Sequence, residues 1–411
     1  MDNQLVIIGG GLAGLTIAET LAKSKRFGKI TIMEQYPNWG GRVLTIRKDG
    51  LTYEAGAGRI FHTHERVNAL VKRFHLKTYP ISTDSFLPNN TPNPFLQLFE
   101  PIRTLLAKCD QETLAAHTIW DLVPPQMRTI FQYYPYWAEI HDLRADLALK
   151  TFTPAEPMGA KKPGEFYGIQ GGMDQITDHL KEHCEKAGVQ LKNRHTVSNI
   201  QRAKSLFEIT GHQGTEKTPF TYQASHVVIA TTRGSYDTFD VLKNSPLLKQ
   251  LIMSPLIRIY AVYPPDKTTK KVWFSNHKFV INNPLRYIIP INEGSGLIMI
   301  SYTDGDDTKH WHTLKDQALE NAIQKELHQL FPNTTIPAPT WLKKYDWPFG
   351  CSYWRPTPGN YALTESLLEA ENPSPNLYIC GESVSYHQGW MEGALESAER
   401  LNTHIKNQVS K

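Results

Sequence analysis

The sequence predicts an α/β protein: a parallel sheet assembled from widely separated stretches of chain, with an α+β region of helices and antiparallel sheet inserted into it. Three observations carry this. A short β-branched run, Leu5-Val-Ile-Ile8, leads into a glycine-rich turn and then into apolar residues at helical spacing, Leu12, Leu15, Ala18, Leu21 and Ala22. Two more short apolar runs, His226–Ala230 and Leu377–Cys380, read as buried parallel strands far along the chain. Between them, alternation dominates in Leu256–Tyr263, Leu285–Ile291, Leu297–Tyr302 and Thr340–Tyr345, the signature of an antiparallel sheet.

The elements follow in order. Lys29–Met33 is a second parallel strand, ending at Glu34, which completes one βαβ unit at the N-terminus. From about Lys77 to Gly164 the chain is rich in proline and aromatics and carries amphipathic pieces, Arg103–Cys109 and Met127–Tyr133, which predict a helical insertion. Gln175–Lys186 reads as a helix stopped at Gly188, followed by strands over Val189–Ile200 and Leu206–Thr210. Gly393–Ile405 is a closing helix. The expected division is a discontinuous domain of residues 1–76, 165–235 and 362–411, and a second domain of 77–164 and 236–361.

Composition excludes several classes. The 411 residues are 40% hydrophobic, enough for a large core, and 44 basic against 40 acidic side chains leave a formal charge of +4. No run of five like charges occurs, so neither nucleic acid nor a membrane surface is an expected partner. The four cysteines stand far apart without metal-ligand spacing, so no metal site is expected and a reducing, cytoplasmic location fits. Neither a signal peptide nor a membrane-spanning run is read.

The turn Gly9-Gly10-Gly11-Leu12-Ala13-Gly14 lies between a strand and a helix, and Glu34 follows Gly14 by about twenty residues at the end of the next strand. That context makes it a Rossmann-like dinucleotide site. Gly9 makes the turn, Gly11 lets the backbone approach a pyrophosphate at the helix start, and Gly14 permits close packing. Glu34 is expected to take the ribose hydroxyls, which disfavours a 2′-phosphate. Gly40-Gly41-Arg42 follows closely, and Arg42 is expected to add a charge-assisted fork to the phosphates.

Five segments together resemble the flavin-containing amine oxidase family, which includes monoamine, polyamine and L-amino-acid oxidases. They are Val6–Gly14 with Glu34; Gly40-Gly41-Arg42; Tyr53–Ile60; Val197 with Val227–Thr231; and Leu377–Ser383 continuing through Gly389-Trp390-Met391-Glu392-Gly393-Ala394. The resemblance implies FAD as cofactor. It implies that Gly381 and Glu382 contact the ribityl-pyrophosphate portion and that Val197 lies at the adenine. Backbone from Trp390 through Met391 to Ala394 would sit at the pyrimidine edge, and Gly56, Ala57, Gly58 and Arg59 would pass close to the flavin ring.

On the substrate side, the resemblance points to Trp390 and Tyr353 as an aromatic pair flanking the amine's path, with Trp354 a competitor for the second place. Where many family members have a lysine, the strand Ser254–Tyr260 offers Arg258, which cannot lose its proton, so water activation there is expected to differ. Arg59 matches the arginine that holds a substrate carboxylate in L-amino-acid oxidases, or else serves the flavin or the structure. Arg286-Tyr287-Ile-Ile-Pro290 shows isoleucines where those oxidases resemble Tyr-Tyr-Pro, so it offers no convincing tyrosine partner for a carboxylate. Cys351 is a possible point of covalent flavin attachment, but Ser352 follows it where an aromatic is expected, so a releasable flavin is the expectation.

The resulting expectation is an FAD-dependent amine oxidase. It takes a hydride from the amine-bearing carbon to the flavin, leaving an imine, and dioxygen is the acceptor that yields hydrogen peroxide. An L-amino-acid oxidase with Arg59 as carboxylate anchor is the second reading. A related desaturase or other FAD oxidoreductase, and a flavin-binding protein without turnover, are further readings.

Overall fold

The computed structural model describes residues 3–152, 166–359, 367 and 372–407. The expected boundaries at 164/165 and 361/362 therefore lie outside the described residues.

One sheet is five-stranded and parallel. Its order is Leu377–Ile379, His226–Ile229, Gln4–Ile8, Lys29–Met33 and Gln190–Lys192. Apart from the edge strand Gln190–Lys192, its strands are almost entirely buried, as Ile7, Ile32, Val228 and Ile379 show at 0% exposure. Helices Leu12–Ser24, Gln175–Lys186 and Met391–Asn407 cover one face, where Leu15, Ile17, Leu180 and Leu401 bury their side chains. Burial of each such side chain contributes roughly 1.5–3 kcal/mol. An antiparallel meander, His195–Ala203, Leu206–Gln213 and Thr218–Ala224, is attached to this sheet's other side. Val6, Ile8 and Ile229 join its Ile200, Phe207 and Ile209 in one apolar cluster, which continues to Phe95, Phe99, Tyr134 and Trp354.

The second large sheet is antiparallel, ordered Phe279–Val280, Tyr287–Asn292, Leu297–Asp304, Leu251–Val262 and Trp341–Trp354. A smaller sheet, Ile60–Phe61, Phe166–Ile169 and Thr78–Ile81, links the N-terminal part to the insertion.

Several expectations need correction. The stretch 189–200 is two strands in different sheets, because Arg194 adopts a left-handed φ of 53° and turns the chain between them. The strand Thr218–Ala224 was not expected. The first amphipathic piece belongs to a helix that begins eight residues earlier, Phe95–Leu106, with Pro101 inside it. The second is a 3₁₀ helix, Pro125–Tyr133. Asp316–Leu330 is a helix within a stretch read as sheet; it packs Leu319, Ile323 and Leu327 against the antiparallel sheet.

Candidate active site

The glycine turn shows why each glycine is there. Gly9 has φ +107°, and a Cβ on it would lie 2.6 Å from the Ala230 carbonyl oxygen. A Cβ on Gly14 would fall inside the carbonyl of Gly9, so helix and turn approach only because it is absent. Gly11 is different. Its backbone is extended, at φ −78° and ψ −175°, and a Cβ would meet only the Gly40 carbonyl oxygen, at 3.9 Å. Nothing in the protein requires glycine at position 11.

The helix Leu12–Ser24 begins at Gly11 with no side-chain cap and no acidic residue in its first turn, so its leading N–H groups are available to an anion. Glu34 is 5% exposed and accepts hydrogen bonds from the backbone N–H of Gly10 at 2.8 Å and of Tyr36 at 2.9 Å. Burial pushes its carboxyl up, against those two bonds.

Arg42 and Glu382, 340 residues apart, meet. Arg42 Nη1 donates to Glu382 Oε1 at 2.7 Å and to the Gly350 carbonyl at 3.0 Å, and the Gly389 N–H donates to Glu382 Oε2 at 3.0 Å. The expected fork from Arg42 to phosphate is thus committed in part to Glu382. Gly381 has φ +141°, and Met391 and Ala394 are buried at the start of the closing helix. Val197 sits in the meander, partly buried against the shared core. Gly56 owes its identity to the protein itself, because a Cβ there would strike the Arg42 carbonyl. Gly58 is less constrained: its Cβ would lie 3.3 Å from the Glu54 side chain and 3.6 Å from Arg258 Nη1.

Arg258 donates to the carbonyls of Glu54, at 2.9 Å, and Gly56, and lies 5.1 Å from the ring centre of Tyr302. Arg59 is enclosed by rings, its guanidinium carbon 4.8 Å from the ring centre of Phe166, 5.2 Å from Trp390 and 5.6 Å from Tyr136. Arg59 Nη2 donates to the Tyr136 hydroxyl at 2.8 Å. No carboxylate pairs with either arginine among the described residues.

The register left open around residues 349–358 is settled by strand pairing, Tyr353 opposite Ile252 and Trp354 opposite Leu251. Trp354 is 1% exposed and donates from its indole to the Ser385 carbonyl at 3.0 Å, so it is a core residue. Tyr353 points the other way. A Cβ on Gly389 would lie 3.9 Å from its hydroxyl and 3.6 Å from Cys351 Sγ. Trp390 stacks on Phe166 with ring centres 6.2 Å apart and receives the edge of His64 at 4.9 Å. Burial, with His387, Arg59 and His62 nearby, pushes the His64 imidazole down to about 3, so it is neutral. Burial, reinforced by Glu382 and opposed by Arg42, raises the Cys351 thiol to about 12.

The sequence reading missed Tyr136, His64 and Glu139. Tyr136 and Glu139 come from the proline-rich insertion, which carries no motif, and His64 precedes a surface helix. No local pattern distinguishes them.

These residues fit a dinucleotide: an uncapped helix start, an unfilled gap at Gly11, a buried acid behind it, and two arginines without carboxylate partners beside Gly56–Gly58. The family model for flavin containing amine oxidoreductases matches residues 103–405, and that for NAD(P)-binding Rossmann-like domains matches residues 7–74. The chain belongs to the flavin-containing amine oxidoreductase family. It is an FAD-dependent amine oxidoreductase, in which the flavin supplies the acceptor for the hydride that leaves the amine-bearing carbon.

Among its relatives, an L-amino-acid oxidase of Siganus canaliculatus is 23% identical, covering 99% of this chain and 86% of its own. An L-amino-acid oxidase of Crotalus adamanteus is also 23% identical, covering 96% and 85% respectively. In fold, the chain matches the cyclohexylamine oxidase of Brevibacterium oxydans IH-35A over 100% of both chains, with a TM-score of 0.73 and 16% identity. It matches an engineered putrescine oxidase with a TM-score of 0.74 and 14% identity, covering 98% of this chain and 99% of the other. Among the described residues no helix is long and apolar enough to cross a membrane.

Proposed function

We propose that the substrate is an α-amino acid whose carboxylate is held by Arg59 and the Tyr136 hydroxyl, and that dioxygen accepts the electrons. The carrying observation is Arg59 itself. It is a cation enclosed by three aromatic rings, it uses one N–H on a tyrosine hydroxyl, and it has no carboxylate among the described residues. Such a guanidinium is ready for a bidentate acid. The L-amino-acid oxidases among the relatives add to this, and Tyr136, packed against Tyr287 of the strand at 287–292, supplies a hydroxyl that bonds Arg59 directly.

The chain's own residues then do four things. Arg59 and Tyr136 orient the substrate by its carboxylate. Tyr353 and Trp390 present apolar faces to the reacting carbon and exclude water. Arg258, tied to the Glu54 and Gly56 carbonyls, holds the Gly56–Gly58 turn in place. Neutral His64 buttresses the Trp390 ring. Overall, the amino acid, dioxygen and water become a keto acid, ammonia and hydrogen peroxide.

For the cofactor, Gly9, Gly11, Leu12, Ala13 and Gly14 would cradle the pyrophosphate, Glu34 the ribose and Val197 the adenine. Gly41, Arg42, Gly381 and Glu382 would hold the middle portion, and Met391 and Ala394 would lie at the ring edge. FAD is held without a covalent bond in this reading, because a thiol raised to about 12 is almost wholly protonated and a poor nucleophile. The division into a nucleotide-binding part of 1–76, 165–235 and 362–411, and a substrate part of 77–164 and 236–361, belongs to the same proposal.

The test is peroxide release by wild type and Arg59→Ala on an amino acid and on its decarboxylated amine. Loss of a partly buried, bidentate ion pair costs about 2–5 kcal/mol, so kcat/KM on the amino acid is expected to fall by roughly two or more orders of magnitude while the amine is unaffected. Equal loss on both, with weakened FAD retention, would assign Arg59 to the cofactor and leave a plain amine as substrate.

A further inference from the structure

Glu139 lies in the one-turn helix Ala138–His141. It is partly accessible, although Ala138 and Ile140 on either side are 0% and 1% exposed. Arg59, Tyr302 and Cys351 show the same partial accessibility among buried neighbours. The charge of Arg59 acts on Glu139, and that of Glu139 on Cys351, so these partly accessible groups lie near one another.

A chain of contacts places Glu139 in relation to Arg59. The Tyr134 hydroxyl donates to Glu139 Oε2. The Tyr134 ring meets the Tyr136 ring edge-on, with centres 5.4 Å apart. The Tyr136 hydroxyl in turn accepts from Arg59 at 2.8 Å. Glu139 and Arg59 thus stand at the two ends of one aromatic pair. Tyr134 and Tyr136 are 1% and 6% exposed and separate the charges.

The carboxylate of Glu139 is otherwise poorly served. Tyr134 is its one hydrogen-bond donor among the described residues, and no described cation forms an ion pair with it. Arg286, which reaches the Tyr134 carbonyl at 2.5 Å, pairs with Asp307 instead. Asp304 nearby is occupied structurally, taking the N–H groups of Trp137 and Ala138 at 2.7 and 3.4 Å. Burial raises the Glu139 carboxyl, against the Tyr134 bond and the field of Arg59. An enclosed carboxylate with one donor is costly unless it takes up a proton or something cationic meets it.

We infer that Glu139 receives a second, non-reacting cation of the substrate, so that the preferred substrate is an L-α-amino acid with a basic side chain, of the lysine or arginine class. The reacting amine itself is an unsuitable partner. It must be neutral to give up a hydride, and a carboxylate beside it would hold its proton in place. The aromatic surfaces of Tyr353 and Trp390 suit the neutral amine, while Glu139 suits a permanent cation. This inference rests on the amino-acid reading only for the direction in which the substrate lies.

The experiment compares L-lysine with L-norleucine, its neutral near-isostere, by peroxide release from the FAD-loaded protein and from Glu139→Gln and Glu139→Asp. Wild type is expected to prefer lysine. Glu139→Gln should lower kcat/KM for lysine roughly ten- to a hundredfold and change norleucine less than about threefold, with Glu139→Asp keeping part of the preference. A readout without turnover is binding of 6-aminohexanoate and hexanoate by calorimetry; the amino compound should bind more tightly, and Glu139→Gln should abolish the difference.

Equal loss on lysine and norleucine, or a wild type that favours norleucine, overturns the inference and leaves Glu139 as a counter-charge to Arg59. That failure is separable from failure of the carboxylate reading. If cadaverine is oxidised as well as lysine and both depend on Glu139, the Glu139 assignment stands and the Arg59 anchor falls. If lysine shows no advantage while Arg59→Ala remains selective for amino acids, the reverse holds.

Discussion

The glycine turn and the surroundings of Arg59 in this protein are built on different logics. In the first, residues close in sequence do the work: Gly9, Gly11 and Gly14 occupy one turn, and their spacing alone sets which backbone groups face an anion. In the second, every important neighbour comes from elsewhere. Arg59 meets Tyr136 from the helical insertion and Trp390 from the C-terminal helix start. Arg42 and Glu382 lie on the border and combine both logics, each carried by a local motif but paired across the whole chain. Sites made of backbone are legible as motifs, whereas sites made of side chains on separate elements are not.

That contrast can be broken at the glycines. Gly14→Val would push a branched side chain into the Gly9 carbonyl and is expected to destroy the fold, seen as loss of cooperative melting. Gly11→Val adds a Cβ whose only neighbour is the Gly40 carbonyl oxygen, at 3.9 Å. It should melt within about 2 °C of wild type without flavin, yet fail to retain FAD through gel filtration. If Gly11→Val keeps about one FAD per chain, the gap at Gly11 is not where the pyrophosphate lies.

Next in size are the losses at Arg59 and Glu139 set out above, of about a hundredfold and ten- to a hundredfold on charged substrates. Tyr136→Phe sharpens the same point on a smaller scale. It removes one hydroxyl from a guanidinium, worth about 1–2 kcal/mol, so KM for the amino acid should rise roughly five- to twentyfold with kcat little changed. An unchanged KM would place the carboxylate away from Tyr136.

The smallest effect belongs to the back of the parallel sheet. Glu19, 3% exposed, accepts from Lys23 and His183 at 2.9 and 2.8 Å and from Arg73. Burial works to raise its carboxyl, but those three donors overcome it and hold the group at about 2. Its folded value lies below its unfolded one, so its stabilisation is complete above about pH 4.5 and is lost as pH falls towards 2. Because Lys23 and Arg73 are substantially solvated, the contribution is about 1–2 kcal/mol. Thermal melts of Glu19→Gln should be lower than wild type at pH 7 and converge with it near pH 2. Curves that run parallel across that range would remove Glu19 from the acid response.

Much of the fold was legible because parallel strands buried on both faces must be apolar throughout. Leu5–Ile8, His226–Ile229 and Leu377–Ile379 announced themselves wherever they fell in the chain. The helix Asp316–Leu330 was obscured by its setting among alternating strands. The split of 189–200 hinged on one residue, Arg194, in a conformation that non-glycine residues rarely adopt.

What the sequence by itself determined is the backbone chemistry of a dinucleotide site and the family it belongs to. A turn, a helix start and an acid at the next strand end interact over short stretches of chain, and their geometry follows from residue type. What only the tertiary structure decided is which face of the strand around Tyr353 looks inward, that Tyr136 bonds Arg59, and that Glu139 lies within the field of Arg59. Those outcomes depend on how two sheets and an insertion without a repeating pattern pack together, and packing is a property of the whole chain, not of any segment of it.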